Sequence, residues 1–220
     1  RATESPDSER EVQLRDYLTK LYETVSEANA PPELIRFHEI RRTSENWCVA
    51  EQWFDGISLE RFLSHRDRAL SVDEASMLLG PIARACDHLY GRGFLHAPIH
   101  VAEIKLISSV NPETSIGRPL PEWPDWGIQV SALAIPEDLR GTGEDSDDFL
   151  AKTISGSIGW ESGSSDLLKG FCRLLYRLVE GSEVSIAADW DKSAYVEASK
   201  LSASSNFLLR DAIAGVSVPT

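Results

Sequence analysis

Apolar residues recur at helical spacing among charges over residues 8–28, where Val12, Leu14, Leu18, Leu21 and Val25 lie near one face, which predicts an amphipathic helix. Pro31 and Pro32 stop it. Residues 34–40 and 47–53 then read as two strands of a hairpin around the polar turn 42–46, and Phe54, Asp55 and Gly56 read as a further turn. Ser58 opens a short helix carrying Leu59, Phe62 and Leu63. The clearest helix starts at Ser71, whose hydroxyl can cap free backbone N–H groups while Glu74, three residues on, completes a capping box. Its stripe is Ala75, Leu78, Leu79, Ile82, Ala85, Cys86 and Leu89, Gly91 and Gly93 supply the exit, and Pro81 inside it predicts a kink.

Beyond this helix the pattern gives a polar loop after residues 94–99, a short strand at 104–108, and an irregular excursion at 110–126 that holds four prolines. Residues 128–134 alternate well enough for a buried strand. Residues 138–148 read as an acidic loop and 155–165 as a Gly/Ser-rich one. A core helix follows at 166–179, apolar at Leu167, Leu168, Phe171, Leu174, Leu175 and Leu178, and a last helix at 203–214 presents Phe207, Leu208, Ala212 and Ile213. No internal repeat is present.

Composition narrows what such a chain can do. At 220 residues and 42% hydrophobic it can bury a substantial core. A net charge of −13 argues against a nucleic-acid surface, which needs clustered Lys and Arg, and favours protein partners. Cys48, Cys86 and Cys172 lie far apart, each in an apolar stretch, so they read as buried thiols of a reducing compartment rather than a disulfide framework or metal ligands. No run of about 18 apolar residues could span a bilayer. A cytoplasmic chain, or the cytoplasmic part of a larger protein, is the expectation, with no direct membrane insertion.

Several of these pieces stand in the order expected of protein kinases. Residues 47–59, Trp-Cys-Val-Ala-Glu-Gln-Trp-Phe-Asp-Gly-Ile-Ser-Leu, resemble the fifth strand, the hinge and the turn after it, so Glu51, Gln52 and Trp53 are hinge-like. Residues 82–96 resemble the long helix that leads into the catalytic loop, 167–181 the central helix of the larger lobe, and 201–215 a helix near its end. The resemblance implies an α+β, mostly α fold: a kinase-like C-lobe over residues 54–220 with a Pro-rich insertion near 110–126, and a partial N-lobe over 1–53 made of an αC-like helix and a β-hairpin.

The same resemblance places the chemistry. Phosphoryl transfer needs an Asp in the catalytic loop, an Asn five residues later and the Asp of an Asp-Phe-Gly turn that holds magnesium. Here the loop starts His96-Ala97-Pro98, His100 stands where the loop Lys is usual, and Glu103 stands at the Asn position. Proline has no group that accepts a proton, so the general base is gone, and His96 reads as a packing element. The metal-binding turn has two candidates. Asp125-Trp126-Gly127 looks like the motif, but residues 119–124 are too rich in proline to form the strand that should precede it. Residues 128–131 make a better strand and deliver Ala132-Leu133-Ala134 into the metal position with no carboxylate, which is the preferred register. Glu11 or Glu23 could be the helix Glu that pairs with a strand lysine, although an exposed helical glutamate is the plainer reading.

Other signals carry less. His65-Arg66-Asp67 spells the catalytic triplet in the wrong place and reads as coincidence. Gly141-Thr142-Gly143 has no strand before it, and Glu144, Asp145, Asp147 and Asp148 lack calcium-loop spacing. Gly156-Ser157-Ile158-Gly159 is not nucleophile-elbow spacing, and the five histidines are scattered. Two functions follow. The first is a catalytically inactive pseudokinase without cofactor, a regulatory or scaffolding module in signalling that binds a protein, such as a kinase or another signalling protein. Trp123 and Trp126 are its candidate contacts, unless these rings instead pin the excursion to the lobe. The alternative is an atypical kinase-fold nucleotide binder or phosphotransferase that uses ATP and magnesium through Asp125 or Glu103.

Overall fold

The computed structural model describes residues 6–43, 47–66, 68–94, 101–132, 164–181 and 195–213. The element order is α1 (Pro6–Val25), β1 (Phe37–Arg42), β2 (Trp47–Glu51), β3 (Gly56–Ser58), α2 (Leu59–Ser64), α3 (Val72–Tyr90), β4 (Ile104–Ile107), β5 (Gly127–Val130), α4 (Ser164–Glu180) and α5 (Ala203–Ile213). Among the described residues no helix is long and apolar enough to cross a membrane. The loops expected at 138–148 and around 155 lie outside the described residues.

The helical periodicity translates directly into burial. Leu18, Leu21 and Val25 of α1 are buried, as are Leu78, Ile82, Ala85, Cys86 and Leu89 of α3 and Leu174, Leu178 and Val179 of α4, and all but Leu18 belong to one continuous core. Val12, expected on the same face of α1, is exposed, because the core begins only further along the helix. Ser71 caps α3 as its spacing implied, accepting from the Glu74 N–H at 3.2 Å while the Glu74 carboxylate accepts from the Ser71 N–H at 3.0 Å. Pro81 does not end α3, which continues to Tyr90. In α5 the face differs from expectation: Phe207 and Leu208 are exposed, whereas Asn206, Leu209, Ala212 and Ile213 are buried. The reason is polar. The Asn206 side chain accepts from the Ala198 N–H at 2.7 Å and the Tyr195 hydroxyl at 2.6 Å, and it donates to the Ala198 carbonyl at 3.0 Å. Facing inward, it satisfies the backbone of the segment before the helix.

Among the described residues two small antiparallel sheets carry the strands. β1 and β2 form the expected hairpin, with Ile40 opposite Val49. β3, β4 and β5 form the second sheet in that order, pairing Ile57 with Leu106 and Leu106 with Ile128. Gly56 was expected in a turn and is instead the first residue of β3. A Cβ there would stand 2.6 Å from the Leu106 carbonyl oxygen and 2.9 Å from Ile107 Cγ2, so only glycine lets the strand approach.

Residues 108–126 join β4 to β5 through two short 3-10 turns, Pro112–Ser115 and Leu120–Glu122. Prolines deprive this segment of ladder donors, so beyond the bonds of its own short turns its polar backbone is satisfied from outside. Arg66 Nη1 donates to the Arg118 carbonyl at 3.2 Å, and the Leu120 N–H donates to Glu74 Oε1 at 3.0 Å. The same Glu74 carboxylate accepts from Arg66 Nη2 at 2.6 Å, from Arg68 Nη1 at 3.0 Å and from the Ser71 hydroxyl at 3.1 Å. Arg66 lies over the Phe62 ring at 4.9 Å, and Trp123 meets Phe62 edge-on at 5.7 Å. Burial alone would raise the Glu74 pKa, but the bonds from Arg68, Ser71 and Leu120 and the charge of Arg66 bring it down to about 2.

Gly56→Ala is expected to cost about 1–3 kcal/mol through overpacking against Leu106, read as a lower urea midpoint. Glu74→Ala leaves a buried guanidinium unpaired and is expected to cost about 3–5 kcal/mol. Because the folded Glu74 pKa is depressed, its contribution is full above the ordinary carboxylate range and is lost as pH falls toward about 2. Urea midpoints of the parent and Glu74→Gln proteins should therefore converge as the pH is lowered through that interval.

Candidate functional site

The candidate site lies where the end of β2 and the hinge-like residues Glu51, Gln52 and Trp53 meet β4 and the end of β5, through Glu51 with Ser131 and Trp53 with Lys105. Ile104 pairs with Val130 and Ile107 with Gly127, and the ladder extends one step further where the Ser131 N–H donates to the Glu103 carbonyl at 3.0 Å. Residues 33–35 run alongside: the Val130 N–H donates to the Glu33 carbonyl at 2.7 Å and the Ile35 N–H to the Val130 carbonyl at 3.0 Å. This lattice holds the end of β5 rigidly beside Glu103.

Antiparallel pairing separates the two candidates for a metal-binding turn. Residues 120–122 form a 3-10 turn rather than a strand, and Asp125 follows as an exposed residue at φ 46°, just before β5. Asp125 thus sits two residues before one end of the β4–β5 ladder and Glu103, level with Ser131, just past the other, with the paired residues Gly127–Val130 at about 3.4 Å per step between them. Ala132 comes two residues after β5 at the Glu103 end, and its methyl group is buried at 1% exposure. Leu133 and Ala134 lie outside the described residues, as do His96, Ala97, Pro98 and His100 of the degenerate loop. Glu103 itself ends the 3-10 turn Val101–Glu103 and is exposed. Among the described residues no three His, Cys, Asp or Glu side chains gather in a way that could hold a metal ion.

The hinge-like residues meet the floor directly. The Ser131 hydroxyl donates to Glu51 Oε1 at 2.5 Å, and Lys105 Nζ lies 4.7 Å from the centroid of the Trp53 ring. Burial raises the Glu51 pKa, and the bond from Ser131 opposes that rise; Glu103 raises it further and Lys105 lowers it. The Gln52 N–H is taken by the Arg36 carbonyl at 2.8 Å. Glu11, a candidate for the lysine-pairing helix residue, instead pairs with Arg42 of β1 at 2.6 Å, and Glu23 is exposed.

Burial decides between the two readings of Trp123 and corrects that of Cys48. Trp123 is not an accessible contact: at 3% exposure it packs edge-on against Phe62 of α2 and, with Ile116 and Leu120, pins the excursion to the core. Trp126 is half-buried against the core. Cys48 is exposed on the hairpin, unlike Cys86, because alternate β2 side chains face away from the core. Arg66, set aside as part of a chance triplet, proves to be the buried partner of Glu74. Only an arginine eight residues before a capping-box glutamate hinted at it, and no local rule reads that spacing.

No family model matches the chain, and no curated protein matches it either. Solved structures do. The kinase domain of Mycobacterium tuberculosis PknI is similar with a TM-score of 0.57 at 15% identity, over 92% of this chain and 72% of that one. A single-site mutant of that domain gives 0.58 at 17%, over 96% and 74%. A double mutant gives 0.50 at 15%, over 77% of this chain and 59% of its own length. The chain has a protein-kinase-like fold. In that kinase-like frame the architecture is α+β with a partial smaller lobe, and the identity level makes the likeness one of fold.

The two tryptophans give a direct check on this cleft and its neighbour. Trp123→Ala should cost about 3–5 kcal/mol, as large buried rings do. Trp53→Ala, at 80% exposure, should cost about 1 kcal/mol or less, mostly its cation–π contact. Paired urea titrations decide it, and equal losses would contradict the placement.

Proposed function

We propose that this chain is a catalytically inactive, kinase-like lobe that works by binding a protein partner in signalling. The observation that carries the reading is Ala132. It stands just past β5 and beside Glu103, where the resemblance calls for the magnesium-holding carboxylate, and it offers a buried methyl group. Pro98 supports it from the sequence, because a tertiary amide cannot take the proton of an attacking hydroxyl. With its chemistry absent, a retained lobe acts through its surface, and the net charge of −13 suits a neutral or basic partner. Trp53, exposed beside the cleft, is the ring such a partner can reach.

The rival is a nucleotide binder or phosphotransferase that uses Asp125 or Glu103 for magnesium. Its two carboxylates lie at opposite ends of one ladder, so they do not form a joint site. The readings separate in a melting experiment. A ligand held at 100 times its Kd adds about 2.7 kcal/mol to stability, so ATP with magnesium should raise the melting temperature of a binder by several degrees and leave this protein unchanged. Radiolabelled ATP should transfer no phosphate to a general substrate. Transfer that disappears in Asp125→Asn or Glu103→Gln would establish the rival.

A further inference from the structure

In a strand, alternate side chains face opposite ways. Ile104, Leu106, Ile128 and Val130 fill the core side of β4 and β5, which leaves Lys105 and Gln129 on the outer face, with Ser131 next in the same alternation. Each of these three side chains is engaged by the smaller lobe or the hinge. Gln129 Nε2 donates to the Pro32 carbonyl at 3.3 Å, Ser131 donates to Glu51 at 2.5 Å, and the Lys105 ammonium stacks on Trp53 at 4.7 Å. A planar ligand lying between hinge and floor would need the space that these contacts occupy.

We infer that the cleft is closed from within: Lys105 against Trp53, and Ser131 against Glu51, form a side-chain plug that excludes a purine ring from the hinge. The inference rests on the kinase-like reading of this cleft. It deepens that reading by adding a cause for ligand exclusion that is independent of the lost catalytic groups. Both contacts join residues far apart in sequence, so they also tie the hinge to the floor as a ligand otherwise would. Each tie has a removable partner. The lysine contact is a cation–π pair, a type worth about 0.5–2 kcal/mol, and the serine contact is a single hydrogen bond to a carboxylate.

Adenosine is the probe, because it carries the purine without phosphates and so depends on the hinge–floor space alone. Binding is followed by amide chemical shifts on the 220-residue chain. The parent protein should show no saturable shift at millimolar adenosine. Glu51→Ala combined with Lys105→Ala should bind at least tenfold more tightly, with shifts in β4, in β5 and in residues 51–55. Ser131→Ala with Lys105→Leu serves as a second opening in case the first does not fold. In the parent protein the Lys105 methylene protons should carry an upfield ring-current shift that vanishes in Trp53→Ala. The plug is refuted if parent and variants bind adenosine alike, if neither folded variant binds, or if the ring-current shift is absent. Phosphate transfer by the parent protein would overturn the proposed function instead, so the two failures are distinct.

Discussion

A single buried carboxylate organises the larger part of this molecule. Glu74 caps the start of α3, neutralises Arg66 and Arg68, and accepts the backbone N–H of Leu120 from a segment 46 positions away in sequence. Its attraction to two guanidinia in a poorly hydrated setting offsets a desolvation cost that would otherwise keep it neutral. Once the carboxylate is in place, the α2–α3 corner is set and the proline-rich segment has somewhere to anchor. That segment carries too few regular backbone donors to hold itself. Arg66 supplies bonds to its carbonyls, and Trp123 supplies its apolar contact.

Anchoring the excursion has a consequence at the cleft. Residues 108–126 leave β4 and must return antiparallel to it, and their neck is closed where the Ser108 hydroxyl and the Ser109 N–H both donate to the Pro124 carbonyl, at 2.6 and 3.1 Å. β5 therefore starts at Gly127 in a register in which a one-residue slip would turn Ile128 and Val130 out of the core. That register carries Asp125 to the far end of the ladder and Ala132 to the end beside Glu103. Where Asp125 and Ala132 stand relative to Glu103 thus follows from how a remote loop is tied down. The close approach of β3, permitted by Gly56, completes the floor over which the hinge-like residues lie.

The candidate site was partly legible because some of its features are local. The loop at 96–103, which only the resemblance marks as degenerate, and the hinge-like run at 51–53 are contiguous words in the chain. The expectation that a strand follows Asp125 rather than precedes it was also local in origin, since proline excludes a regular ladder from 119–124, and β5 does begin after Asp125. The contacts of Glu51 with Ser131 and of Lys105 with Trp53 were not legible. Their partners are 80 and 52 positions apart, and nothing in the spacing marks them.

By itself the sequence determined the helices, whose 3.6-residue apolar period and capping residues act over one or two turns, and it determined the hairpin. Only the tertiary structure decided the inward turn of Asn206 and Trp123, the pairing of Arg66 with Glu74 and the exposure of Trp53 and Cys48. Local pattern states which side chains prefer burial. Which of them achieve it depends on what the rest of the chain brings opposite, because burial energy and buried hydrogen bonds belong to pairs of surfaces that meet only in the folded state.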